Sequence, residues 1–106
     1  MEKQTDISRV AALIGDPARA IILTSLSAGG ARTAGELAQE AGITAQTASS
    51  HLSKLKAGGL IASRKQGRHH YFVLADSDVD DILERLFGLA ERVGHTRTRP
   101  GPRDPA

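Results

Sequence analysis

The chain has 106 residues, 40% of them apolar but only 3% aromatic, and a formal net charge of +2. That length suits one domain with a core of Leu, Ile, Val and Ala, small enough to gain stability from a partner chain. The absence of cysteine excludes disulfides, thiolate metal sites and thiol switches. No apolar run approaches the ~18 residues of a membrane span, and "MEKQTDISRV" lacks a signal-peptide apolar region, so a cytoplasmic protein with no membrane partner is expected.

In "ISRVAALIG", Ile7, Val10, Ala11 and Ile14 recur at helical spacing, which predicts a short amphipathic helix ending at Gly15. "DPARAIILTSLSAGG" opens a second helix with Asp16 as N-cap and Pro17 in its first position; Ile21, Ile22, Leu23 and Leu26 form its buried side, and Gly29–Gly30 stops it. Thr33 and Glu36 have capping-box spacing and start a third helix, which buries Leu37 and Ala41 and ends at Gly42. A fourth follows almost at once, from Thr44 as N-cap to Gly58–Gly59, with Ala48, Leu52 and Leu55 inward. Helices joined by so short a turn cross steeply, as in a helix-turn-helix, and the small Ala38 and Ala48 allow a close crossing.

The period then changes from 3.6 to 2. "LIASRKQGRHHYFVL" reads as two short strands about a turn at Gln66–Gly67, a basic-tipped wing with Ile61, Tyr71 and Val73 as inward positions. The last helix, "SDVDDILERLFGLAERVG", is capped by Asp76 or Ser77 and has an acidic first turn that suits the helix dipole. Its apolar side, Val79, Ile82, Leu83, Leu86, Leu89, Ala90 and Val93, is wider than one core needs. With Ile7 and Val10 of the first helix, the residues Val79, Ile82, Leu86, Leu89 and Val93 are expected to form a homodimer interface. The fold class is thus mainly α: five helices and a two-stranded wing over residues 1–95, with 96–106 a disordered tail or the start of a linker.

Between Glu40 and Asp76 there is no acidic residue, while Lys54, Lys56, Arg64, Lys65 and Arg68 all fall there. Such a span is either a phosphate-binding face or a solvated basic patch. The fourth helix favours the first reading. Gln46, Thr47, Ser50, Ser53 and Lys54 point away from its apolar side; Gln reads adenine bidentately, Ser and Thr pair with several bases, and Lys suits a phosphate. The expected DNA-contacting set is Thr44, Gln46, Thr47, Ser49, Ser50, His51 and Lys54 on this helix, and Arg64, Lys65, Arg68 and His69 on the wing. His51 either meets a phosphate or stays half-buried against the wing. His69 and His70 alternate across a strand, so one face cannot present both to a single ion.

From "GDPARAIILTSL" through "TAGELAQEAGITAQTASSHLSKLKAGGLI" to "KQGRHHYFVLAD", the chain resembles the ArsR/SmtB family of bacterial winged-helix repressors over about residues 7 to 94. The resemblance implies a homodimer joined through its first and last helices, operator binding by the helix before the wing, and control by an effector. The effector itself is not specified. The family's thiolate sensors place cysteines in the third helix, where this chain has "ELAQE". Its other metal sites pair an early Asp-x-His with two late histidines; Asp76 and Asp78 match the early pair, but Leu89 and Arg92 stand in the late positions. Glu91 and His95, one turn apart, are the remaining ligand pair, and no cofactor is expected. No nucleophile–base set or glycine-rich phosphate loop marks an enzyme. The competing reading is a winged helix that docks proteins without binding DNA.

Overall fold

The computed structural model describes residues 2–97, so residues 98–106 of the expected tail lie outside the described residues. The element order is α1 (Ile7–Ile14), α2 (Pro17–Ser25), a 3-10 turn (Ser27–Gly29), β1 (Arg32–Thr33), α3 (Ala34–Ala41), α4 (Ala45–Ala57), β2 (Ile61–Gln66), β3 (His69–Leu74) and α5 (Ser77–Arg92). Each helix begins where a side-chain oxygen satisfies an otherwise orphaned N–H. Asp6, Asp16, Thr33, Thr44 and Asp76 accept from the backbone N–H of Ser8, Arg19, Glu36, Thr47 and Val79. Between Thr33 and Glu36 the capping box is complete in both directions.

One core holds the elements together: Ile22, Leu23 and Leu26 of α2, Leu37 and Ala41 of α3, Leu52 and Leu55 of α4, then Leu60, Ile61, Val79 and Leu83. The helix-turn-helix is the pair α3–α4. Gly42 takes the left-handed conformation (φ 67°) that ends α3, and the next N–H, from Ile43, donates back to the Ala38 carbonyl at 3.0 Å. Ala38 and Ala48 are both buried, so the two helices approach with little side chain between them.

Three features depart from the expected fold. The wing belongs to a three-stranded antiparallel sheet in the order β1-β3-β2, because Arg32 and Thr33 pair with Phe72 and Tyr71. A two-residue strand is too short to show alternation, and Thr33 also serves as a helix cap. The inward face of β3 is offset by one residue: Ile61 lies opposite Leu74 and Ser63 opposite Phe72, so Phe72 and Leu74 pack on the core instead of Tyr71 and Val73. Finally, α2 stops at Ser25. The 3-10 turn that follows holds Ala28 at φ 61°, secured by Asp80, whose Oδ1 accepts from the Ser27 hydroxyl at 2.6 Å and the Ala28 N–H at 3.2 Å.

Two helices keep bare apolar surface. α1 buries no residue completely, and Ile7 is 79% exposed; Ile82, Leu86, Phe87 and Leu89 of α5 and Val93 at its C-cap are all exposed. Val79, expected at a subunit interface, instead fills the core with Leu83, because the first turn of α5 lies directly against the domain.

Candidate nucleic-acid interface

α4 runs with Ala48, Leu52 and Leu55 against the core, and this burial fixes its opposite side to solvent. That side carries Gln46, Thr47, Ser50, Ser53 and Lys54, all exposed, with Ser49 exposed on one flank. Thr44 is committed locally. Its Oγ1 accepts the Thr47 N–H at 3.1 Å and donates to the Thr47 hydroxyl at 2.9 Å, which leaves the Thr47 proton free to point outward. The positive end of the helix dipole lies at the same end as Gln46 and Thr47, and no carboxylate stands within the span.

The wing extends this face. Gln66 pairs with His69 across a two-residue turn, where Gly67 supplies the positive φ (63°) of a primed hairpin turn. Register divides the basic residues between two sides. Arg64, opposite Tyr71, shares a side with Gln66 and His69; Lys65, opposite His70, lies on the other. The His69 and Tyr71 rings are 5.9 Å apart on the first side, and His70 stacks on Phe72 at 5.2 Å on the second. Arg68 sits in the turn, exposed like Arg64, Lys65 and His69. At the wing root, Lys56 Nζ donates to Ser63 Oγ at 2.8 Å and ties the end of α4 to β2.

His51 is placed differently from either expectation. Its side chain is only 16% exposed and faces the start of α2, where Nδ1 lies 3.1 Å from Arg19 Nη1 and Nε2 lies 3.8 Å from Asp16 Oδ2. Arg19 also donates to the Leu13 and Ala12 carbonyls at 2.7 and 3.2 Å. Arg19 lies outside the site residues expected from the sequence, although its signal is visible there: one arginine in the first turn of the otherwise apolar "PARAIIL", just after a helix end that needs donors.

The Arg19 backbone N–H holds the Asp16 carboxyl below its ordinary value of 3.8 against the opposing effect of burial, and the Arg19 guanidinium acts in the same direction as the N–H. Asp6 is lowered by the Ser8 hydroxyl and Glu36 by the Thr33 N–H. Each depressed carboxyl contributes stability above its unfolded pKa, and that stability is lost as pH falls through the folded value. Acid below about pH 4 is therefore expected to loosen the first three helices. Asp16→Asn keeps a good N-cap but cannot titrate, so melting followed by circular dichroism should show a shallower acid slope for the variant. An unchanged slope would show that Asp16 does not contribute.

Against known proteins, a family model described as a helix-turn-helix domain matches residues 14–64. The solution structure of a homodimeric winged helix-turn-helix DNA-binding domain from Mycobacterium bovis, a possible ArsR-family transcriptional regulator, covers 93% of this chain and 100% of that one. It superposes with a TM-score of 0.74 at 28% identity. The HTH-type transcriptional regulator CmtR of Mycobacterium tuberculosis is 33% identical over 84 residues, which are 79% of this chain and 70% of CmtR. The chain belongs to the ArsR/SmtB family of winged helix-turn-helix transcriptional regulators. Another family relative, the uncharacterized HTH-type transcriptional regulator YdfF of Bacillus subtilis, is 46% identical over 87 residues, and this chain spans only 38% of its length. In this ArsR-family chain α3 carries Glu36 and Glu40 but no cysteine. Among the described residues no three His, Cys, Asp or Glu side chains gather as metal ligands, and no helix is long and apolar enough to cross a membrane.

Proposed function

We propose that this regulator is a cytoplasmic transcriptional repressor that binds an inverted-repeat operator as a homodimer. Residues 1–95 form the DNA-binding and dimerisation unit. One observation carries the reading: the acid-free stretch between Glu40 and Asp76 coincides with α4 and the wing, and its five cations are all exposed. A protein-docking surface has no need for that coincidence.

Gln46, Thr47 and Ser50 are assigned to base edges. Lys54, Arg64, Lys65 and Arg68 are assigned to phosphates, with His69 beside them, and Ser49 lies at the margin. Two copies joined through α1 and α5 place their α4 helices about 34–36 Å apart, or a multiple of that, along one face of the duplex. The homodimeric M. bovis domain supports this arrangement, as do the bare apolar faces of α1 and α5.

The test is selection of duplexes from a random library by the purified chain, followed by titration of the enriched sequence across salt concentrations. An inverted repeat is expected, with affinity falling roughly 10³-fold or more between about 50 and 200 mM salt if some six phosphates are contacted. A chain that enriches no sequence and shows no salt-dependent binding is a protein-docking module instead.

A further inference from the structure

Arg19 is bonded on three sides. Its Nε and Nη2 cap the last turn of α1 through the Leu13 and Ala12 carbonyls, and its Nη1 meets Nδ1 of His51 on α4. One guanidinium thus spans the end of α1, whose Ile7 and Val10 face outward, and the helix assigned to DNA reading. Guanidinium is a donor only, so Nδ1 of His51 must be the lone-pair nitrogen. The ring is then neutral, with its proton on Nε2, directed toward Asp16 at 3.8 Å.

We propose that Arg19 and His51 are positioning residues that set the seat of α4 on α1 and α2, so that duplex affinity depends on His51 staying neutral. This rests on α4 being the reading helix. Protonation places an N–H on Nδ1 facing the Arg19 N–H, two donors and two cations at contact distance, and the bond breaks. Asp16 is the carboxylate that faces the ring, but its Oδ2 accepts the Arg19 backbone N–H at 3.0 Å, and 3.8 Å to Nε2 is too long for a hydrogen bond. The other charged groups near this junction are Arg9 of α1 and Lys54 of α4, which line the same groove as Arg19. The sign of the effect is diagnostic. Extra positive charge on His69, His70 or His51 raises affinity for phosphate as pH falls, whereas loss of this joint lowers it.

The experiment compares the full chain with His51→Asn, which offers an acceptor in place of Nδ1 but no titratable proton. Anisotropy on the selected duplex is measured at about pH 7.5 and 5.5 at constant ionic strength, on either side of the imidazole range. The wild-type chain is expected to lose about fivefold or more in affinity at the lower pH, and His51→Asn is expected to lose none. Equal losses, or no loss in either protein, would overturn the proposal. A readout without DNA stands beside it: the ring nitrogen-15 shifts of His51 at about pH 7.5 are expected to show Nδ1 unprotonated. A proton on Nδ1 there would overturn the joint itself. Absence of duplex binding at both pH values, with Nδ1 unprotonated, overturns the assignment of α4 and with it the dependence on His51.

Discussion

Replacing Leu86 and Leu89 together by glutamate is expected to turn a micromolar dimer into a monomer and to remove at least ~100-fold of the affinity for an inverted repeat. Both side chains are exposed, as are Ile82 and Val93 beside them; α5 buries only Val79 and Leu83 in its own domain. Carboxylates placed in that stripe bring like charges together across a two-fold axis, where every substitution occurs twice. The domain itself loses no core contact, so circular dichroism should be unchanged. Affinity falls because the second half-site is no longer held at high effective concentration. Sedimentation equilibrium of both proteins, with titrations on one and two half-sites, checks the prediction. A wild-type chain that sediments as a monomer, or a variant that still dimerises, contradicts it.

The largest stability effect is expected at Leu55, which has no exposed surface and lies in the core with Leu37 and Ile22. Leu55→Ala should cost about 2–5 kcal/mol, from lost transfer energy and an unfilled cavity. That is a large share of the roughly 5–15 kcal/mol by which a typical domain is stable. Lys54→Ala, one residue away on the outward side of α4, should change stability by no more than about 0.5 kcal/mol. Urea denaturation of the two variants measures how sharply α4 divides into a packed and a presented side. Similar midpoints for both would mean that the helix is not seated as described.

Most of this division can be read in the sequence because caps and periodicity act locally. Asp16, Thr33 with Glu36, and Thr44 each announce a helix start; Ala48, Leu52 and Leu55 fix one side of α4, and with it the residues opposite. Where a feature depends on contacts distant in sequence, the letters say little. Arg32 and Thr33 form a strand only because β3 offers them an edge. Five consecutive side chains from His69 to Val73 are large and ring-bearing or branched, so nothing local chooses between the two faces, and Ile61 opposite Leu74 decides. Val79 and Ile82 both belong to an apolar stripe, but only the approach of α5 to the core separates buried Val79 from exposed Ile82. The link from His51 to Arg19 joins residues 32 positions apart. No motif search centred on α4 would have found it.

The central claim is that the outward side of α4 distinguishes one DNA sequence from another. The direct test is fluorescence anisotropy of wild type and Gln46→Ala on the selected duplex and on a scrambled duplex of the same composition, at one salt concentration. The expected loss is about 1–3 kcal/mol on the selected duplex and almost none on the scrambled one. Equal losses on both, or none on either, would show that α4 does not read bases at Gln46.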